Sequence, residues 1–144
     1  MKKIYIEEKW CLGCKLCEYN CAFVNTGQKD MARALKDKEI YPRIKVEGHG
    51  DVAVAVNCRH CDEPFCVYGC ITGAITKEDG VVKIDSKKCV KCLTCVLSCP
   101  VGALSNTETG VMQKCELCQS LGVKPVCVKG CPNRAIVFEE RSEL

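Results

Sequence analysis

The chain has 144 residues, and sixteen of them are cysteine. This share lies above the roughly 8–10% that marks a cysteine-based scaffold, so ordinary apolar side chains are not expected to hold the fold alone. The formal charge of +3 counts every cysteine as a neutral thiol. Because metal-bound thiolates would make the protein acidic, the charge gives no support for a nucleic-acid partner.

The N-terminal segment predicts neither an export signal nor a membrane anchor. Residues 1–9 contain no apolar stretch before the acidic residues begin, and no segment approaches the roughly 18 apolar residues of a membrane-spanning helix. A cytoplasmic chain keeps its thiols reduced, and dense cysteine there points to metal rather than to disulfides. We therefore expect a cytoplasmic, metal-binding protein with no membrane span.

Short strands are predicted near both ends of the chain and in its middle. Residues 4–6 predict a strand that can pair with another over 135–138, and residues 52–56 form a β-rich run. The polar stretch 26–50 is interpreted as an insertion. Within it, residues 28–39 predict a charged helix or an ordered segment over the sheet, which is either a solvated connector or a docking element for a partner.

Two hairpins are predicted in the second half of the chain. The first joins residues 74–76 to 81–85 through Asp79-Gly80, a pair of residues that favours a tight β-turn. The second joins residues 104–105 to 111–113 across a polar turn. Patterned strands and turns therefore lie between the cysteine-rich segments.

The cysteines form four groups of four, with none left over. The first and third groups follow the spacing C-x2-C-x2-C-x3-C, the second follows C-x2-C-x4-C-x3-C, and the fourth follows C-x2-C-x8-C-x3-C. In chain order the groups are Cys11, Cys14, Cys17 and Cys21; Cys58, Cys61, Cys66 and Cys70; Cys89, Cys92, Cys95 and Cys99; and Cys115, Cys118, Cys127 and Cys131.

The spacing of the first and third groups is that of bacterial ferredoxins, which bind 4Fe–4S clusters. Three closely spaced cysteines let one loop bind three corners of a cubane, and the fourth binds the other cluster of a pair. Zinc sites fit less well, because their two cysteine pairs usually lie a dozen or more residues apart. We therefore predict four 4Fe–4S clusters, which would bring the charge of the loaded protein to about −5. Spacing alone leaves open which groups are partners.

A few other side chains near the cysteines suggest a role. His60 stands between two cysteines of the second group and is expected beside a cluster or at the surface. Trp10, Phe65 and Tyr68 are predicted to cover clusters and exclude water. No dinucleotide fingerprint, P-loop or HExxH motif is present, so no catalytic residue is predicted.

Three lysines lie close to the third group, at positions 87, 88 and 91. Their positive charge would raise the reduction potential of a nearby cluster or would dock an acidic partner. A solvated loop explains them equally well, so the alternatives stay open.

The order of the four groups resembles the four-cluster ferredoxin-like electron-transfer subunits. These serve dimethyl sulfoxide reductase, formate dehydrogenase, hydrogenase and carbon monoxide dehydrogenase systems. Residues 58–66 resemble the second motif of that family, and residues 114–118, with the long gap to Cys127, resemble its fourth. The resemblance covers nearly the whole chain. It is weaker where Ala22 and Ile71 replace the proline that often follows the last cysteine of a group.

The resemblance implies an α+β fold, a tandem bacterial-ferredoxin-like dicluster fold with a pseudo-twofold repeat. Short antiparallel hairpins and short helices would surround four cubane clusters in a single domain over residues 1–144. The outer cluster pair would come from residues 1–25 and 111–144, and the inner pair from residues 52–104, with 26–50 as the insertion.

The resemblance also implies a ligand set for each cluster, in which every group exchanges its fourth cysteine with its partner. We refer to these sets as sites 1 to 4. Site 1 is Cys11, Cys14, Cys17 and Cys131; site 2 is Cys58, Cys61, Cys66 and Cys99; site 3 is Cys89, Cys92, Cys95 and Cys70; and site 4 is Cys115, Cys118, Cys127 and Cys21.

The expected function is that of a non-catalytic subunit which relays single electrons through the four clusters. One partner would be a large catalytic subunit of the carbon monoxide dehydrogenase, aldehyde oxidoreductase, formate dehydrogenase or hydrogenase type, and the compact chain favours the first of these. The second partner would be a flavoprotein or a ferredoxin, which makes the expected assembly a hetero-oligomer. The alternative is a free-standing polyferredoxin, an electron carrier that diffuses between enzymes.

Overall fold

The computed structural model describes residues 1–141, and within them short helices alternate with short strands. The helices are α1 (Leu16–Thr26), α2 (Met31–Leu35), α3 (Phe65–Tyr68), α4 (Thr94–Ser98) and α5 (Val126–Lys129), with single 3-10 turns at Glu8–Trp10 and Gln119–Leu121. The strands are β1 (Lys3–Ile6), β2 (Lys45–His49), β3 (Val52–Val56), β4 (Ile75–Glu78), β5 (Val81–Ile84), β6 (Ser105–Asn106), β7 (Met112–Gln113) and β8 (Ile136–Glu139).

The strands pair into two-stranded antiparallel ribbons, in the order β1-β8, β2-β3, β4-β5 and β6-β7. The first ribbon joins the two ends of the described chain, with Ile4 opposite Phe138, as the sequence predicts. Both predicted hairpins are also confirmed. At the turn between β4 and β5, Asp79 and Gly80 have φ angles of 49° and 78°, the left-handed pair that a tight hairpin turn needs.

The stretch 26–50, interpreted from the sequence as an insertion, contains helical and strand segments. Helix α1 continues past Cys21 to Thr26, and the short helix α2 occupies part of the segment predicted to be helical, capped by Asp30. Strand β2 was not predicted, because a strand that is exposed on most of its length and contains Gly48 has no apolar alternation to reveal it. It forms because β3 offers an unpaired edge, and Lys45 lies opposite Val56.

The buried interior is built from unusually small side chains. Among the apolar residues that are buried in the described part of the chain, six are alanine and six are cysteine, out of twenty-one. Ile44, Val81 and Val82 are the large apolar side chains that are almost fully enclosed. A core of this kind buries little apolar surface per residue, so we expect the cysteines to add stability through what they bind.

Two helix pairs position the cysteine groups relative to each other. Helix α1 packs against α5, and α3 packs against α4. The first and fourth groups are thereby brought together, and so are the second and third groups. None of the helices within residues 1–141 combines the length and the apolarity that crossing a membrane requires.

The small core makes each large buried side chain important for stability. We expect Ile44→Ala to lower the free energy of unfolding by about 2–5 kcal/mol, because it leaves a cavity. The apparent Tm of the anaerobic protein should then fall by roughly 6–20 °C at a fixed scan rate. The matched control is Ile71→Ala, since Ile71 is 76% exposed. Equal losses of Tm for the two variants would contradict this view of the core.

Candidate iron–sulfur sites

The third cysteine of every group occupies the same structural position, the second residue of a helix. The two closely spaced groups enter the helix through a left-handed residue, Lys15 or Leu93, whereas the two widely spaced groups enter it through a proline, Pro64 or Pro125. The different spacings therefore lead to one local geometry. The four third cysteines are Cys17 in α1, Cys66 in α3, Cys95 in α4 and Cys127 in α5.

A left-handed residue also stands directly before the second cysteine of every group. These residues are Gly13, His60, Lys91 and Leu117, with φ angles of 67°, 48°, 62° and 58°. Such a reversal turns successive main-chain N–H groups to one side, which creates a concavity for an anion. In two groups the N–H of this residue reaches the first cysteine: His60 N lies 3.4 Å from Cys58 Sγ, and Leu117 N lies 3.5 Å from Cys115 Sγ.

Glycine fills this position in the first group for a steric reason as well. A Cβ on Gly13 would lie only 3.1 Å from the Cβ of Ala53 in strand β3. The loop that carries Cys11 and Cys14 is therefore pressed against the β2-β3 ribbon. The other three groups accept side chains at the equivalent position.

Two clefts are each lined by four cysteines. The first contains Cys11, Cys14, Cys17 and Cys131. The second contains Cys89, Cys92, Cys95 and Cys70. In each cleft three cysteines come from one group and the fourth comes from a different group, and the residues are those of sites 1 and 3.

The cysteines of site 4 lie close together and are more buried than those of sites 1 and 3. Burial raises the pKa of Cys127, and the neighbouring Cys115, Cys21 and Cys118 raise it further. Cys21 is thus next to the fourth group, although it belongs to the first group in the sequence.

Three cysteines of site 2 also lie close enough together for two of them to raise the pKa of the third. Burial raises the pKa of Cys66, with further contributions from Cys58 and Cys99. Cys61, the fourth member, is half-buried in the loop between Cys58 and α3.

The donor set and its surroundings fit a cubane. All sixteen cysteines carry free thiols, and burial raises the pKa of Cys17 and of Cys115 to about 11. A buried thiolate is therefore unfavourable unless positive charge accompanies it, and bound iron supplies that charge. Within residues 1–141 no three His, Cys, Asp or Glu side chains converge on one metal ion. The thiolates of a cubane bind separate irons and need not converge in that way.

Further hydrogen bonds reach the cysteine sulfurs from outside their own loops. Arg43 N donates to Cys21 Sγ over 3.2 Å, and the Arg43 guanidinium pairs with Glu116, inside the loop of the fourth group. Val46 N donates to Glu18 Oε1 over 2.5 Å. The second half of the stretch 26–50 therefore packs against the loops of the first and fourth groups. Residues 28–39 are mostly exposed, and both interpretations of that segment, a connector and a docking element, stay open.

His60 is fully buried, so the surface position considered from the sequence is wrong. Its Nδ1 accepts a hydrogen bond from Val82 N over 3.1 Å and lies 3.8 Å from Cys58 Sγ. Burial, and then the charges of Lys114, Lys3 and Lys77, lower the pKa of His60 to about 3. The ring is therefore neutral, and its proton resides on Nε2 because Nδ1 acts as the acceptor.

Lys114 is a site residue that sequence reasoning missed. It is only 3% exposed, and its Nζ donates to the carbonyl oxygens of Val82 and, over 2.9 Å, of Cys115. Lysine is almost never buried without a partner. Its position directly before Cys115 was the one signal in the sequence, and that signal does not distinguish a buried lysine from a solvated one.

The predicted aromatic covers are wrong for two of the three rings. Phe65 and Tyr68 are 58% and 68% exposed. Trp10 is 51% exposed, but it lines the cleft that contains the cysteines of site 1. Phe65 and Tyr68 lie on α3, a single turn with no buried residue, so their rings face outward. Lys87, Lys88 and Lys91 are exposed as well, and Lys88 forms an ion pair with Asp85 at 4.0 Å.

Comparison with protein families finds a match over residues 52–141 to the 4Fe–4S dicluster domain. An iron–sulfur protein of Rhodospirillum rubrum is 35% identical over 92% of this chain and 79% of its own length. The probable anaerobic dimethyl sulfoxide reductase chain YnfG of Escherichia coli K12 is 36% identical over 97% of this chain and 74% of its own. The electron transport protein HydN of the same strain is 31% identical over 93% and 85%.

A solved structure has a similar fold. It is the active site complex BamBC of benzoyl coenzyme A reductase with benzoyl-CoA, in which one chain matches with a TM-score of 0.52 and 25% identity. The match covers 98% of this chain and 80% of that one.

The close contact of Gly13 with strand β3 provides a test of the first loop. We expect Gly13→Ala to weaken cluster binding at site 1, because the added Cβ strains a left-handed residue and presses on Ala53. Iron content should fall from about sixteen per chain toward about twelve. Gly27→Ala is the matched control, since Gly27 has a similar φ of 69° but no atom within 4 Å of the added Cβ. Equal iron contents in the two variants would show that the contact with Ala53 does not matter.

Proposed function

Because the chain belongs to the family of 4Fe–4S dicluster proteins, we propose that it is a non-catalytic subunit of an oxidoreductase that relays electrons through four 4Fe–4S clusters. A bound cubane supplies a one-electron centre with a potential that its protein surroundings adjust. The observation that carries the proposal is the pair of clefts, each lined by four cysteines from two different groups. Relatives named as electron transport or reductase chains support the same role.

We propose that the four clusters are bound by the cysteines of sites 1 to 4, within one domain that has a pseudo-twofold repeat. The two matching clefts support sites 1 and 3. The mutual effects of the cysteines on their pKa values support sites 4 and 2. The packing of α1 on α5 and of α3 on α4 supports an outer and an inner pair. The outer pair would draw on residues 1–25 and 111–144, of which 142–144 lie outside the described residues, and the inner pair on 52–104.

The sites would follow one another in the order 1, 4, 2, 3. Cys17 of site 1 is close enough to raise the pKa of Cys127 in site 4. In turn, Cys58 of site 2 raises the pKa of Cys115 in site 4. One buried cluster of side chains is contacted by Cys66 and Cys99 of site 2 and by Cys70 and Cys89 of site 3. These neighbours favour a linear path whose ends are sites 1 and 3.

Both ends of this path are accessible to partners. Cys14 of site 1 and Cys92 of site 3 are exposed. Leu12 beside Cys11 is 67% exposed, and Leu97 on α4 is 89% exposed. We propose that a large catalytic subunit docks at one end and a flavoprotein or ferredoxin at the other, with the lysines at 87, 88 and 91 favouring an acidic partner at site 3.

The exchange of fourth cysteines has a direct test. We expect Cys131→Ala and Cys14→Ala to remove the same cluster signal in the EPR spectrum of the reduced protein, because both residues belong to site 1. Cys118→Ala should remove a different one. Each variant should retain about twelve irons. If Cys131→Ala instead removes the signal that Cys118→Ala removes, the fourth group keeps its own cysteine and the proposed exchange is wrong.

Whether the protein is a subunit of a larger complex is tested by identifying what it is bound to in the cell. Affinity-tagged protein, purified anaerobically at its native level, should elute with a larger oxidoreductase subunit in a fixed ratio that native mass spectrometry can measure. Charge reversal at Lys87, Lys88 and Lys91 should weaken binding of the partner at site 3 and leave the iron content unchanged. A monomer that reduces several unrelated enzymes would favour the free-standing polyferredoxin instead.

A further inference from the structure

A buried polar junction lies between the second and fourth cysteine groups, and its centre is the main chain of Val82 in β5. The N–H of Val82 donates to His60 Nδ1 over 3.1 Å, and the carbonyl of Val82 accepts from Lys114 Nζ. Val82 is 1% exposed, His60 is fully buried, and Lys114 is 3% exposed. One peptide of β5 thereby holds a neutral imidazole and an ammonium group away from water.

The ammonium group of Lys114 has no carboxylate partner within residues 1–141, where its hydrogen bonds go to two main-chain carbonyls. A buried charge without a counter-charge is strongly unfavourable. The nearest candidates for negative charge are the thiolates. Lys114 Nζ donates to the carbonyl of Cys115 over 2.9 Å. Its other acceptor, Val82, donates to His60, whose Nδ1 lies 3.8 Å from the Sγ of Cys58. These two cysteines belong to sites 2 and 4, so the ammonium lies between the two middle sites of the proposed path.

His60 contributes a second buried polar group that lacks a partner in the same junction. Its Nε2 is buried and has no hydrogen-bond partner within residues 1–141. Because Nδ1 is the acceptor from Val82, Nε2 carries the proton and is a donor. A buried donor without an acceptor is unfavourable. His60 also lies next to Cys58 of site 2, where a bound cluster would bring sulfur acceptors.

We propose that this junction sets the potentials of the two middle clusters, an inference that rests on the proposed cluster sites. The ammonium of Lys114 raises the reduction potential of the clusters at sites 2 and 4, because a nearby positive charge stabilises the additional electron. His60 holds the junction in place through Val82 and donates from Nε2 to sulfur at site 2, which raises the potential of that cluster further. The clusters at sites 1 and 3 are outside this influence.

The test is an EPR-monitored redox titration of the anaerobic, fully loaded protein, with signals assigned to sites by cysteine variants. Lys114→Gln should shift the equilibrium for reduction at sites 2 and 4 at least tenfold toward the oxidised form, which is about 59 mV for a one-electron couple. Lys114→Arg, which keeps the charge, should shift both much less. The control Lys88→Gln removes an exposed lysine near site 3 and should leave sites 2 and 4 unchanged.

The outcomes separate this inference from the proposed function. If the unaltered protein binds about sixteen irons and Lys114→Gln leaves all four potentials unchanged, the junction does not tune the clusters and the inference is overturned. If the unaltered protein binds fewer than four clusters, the proposed function itself fails. If Lys114→Gln loses a cluster, His60→Phe decides: a lower potential at site 2 supports the inference, and an unchanged potential at site 2 overturns it.

Discussion

The burial of thiols without enough positive charge to balance them is the constraint on which the rest of this structure depends. Cys17, Cys115 and Cys127 lie where burial raises their pKa values. In the free protein these sulfurs favour the neutral thiol, and iron reverses that preference. More than half of the buried apolar residues within residues 1–141 are alanine or cysteine. We therefore expect cluster binding and folding to be strongly coupled, because the same side chains would serve as core and as ligands.

The repeated geometry of the four groups follows from the same constraint. A left-handed residue before the second cysteine turns N–H groups to one side. A helix begins just before each third cysteine; the fourth cysteine follows within α1 in the first group and just after the helix ends in the other three. Left-handed backbone is unfavourable for residues such as His60 and Leu117. The hydrogen bonds from their N–H groups to Cys58 and Cys115 offset part of that cost.

Much of the fold could be predicted from the sequence because its signals are local. Spacing alone defines the cysteine groups, and Asp79-Gly80 marks a hairpin that forms as expected. The missed features depend on contacts between distant segments. Strand β2 forms because β3 pairs with it, and the buried ammonium of Lys114 needs a carbonyl acceptor from β5 in addition to that of Cys115. The exposed rings of Phe65 and Tyr68 show that a place beside a cysteine does not predict burial.

The central claim is that four clusters are bound by four mixed cysteine sets along one path. Diffraction from anaerobically grown crystals at the iron absorption edge tests it most directly, since anomalous scattering locates iron independently of any assumed ligand. The account predicts four compact iron peaks in the order of sites 1, 4, 2 and 3, with Cys21 bound beside Cys115 and Cys131 beside Cys11. Fewer than four peaks, or Cys21 bound within the second or third group, would contradict it.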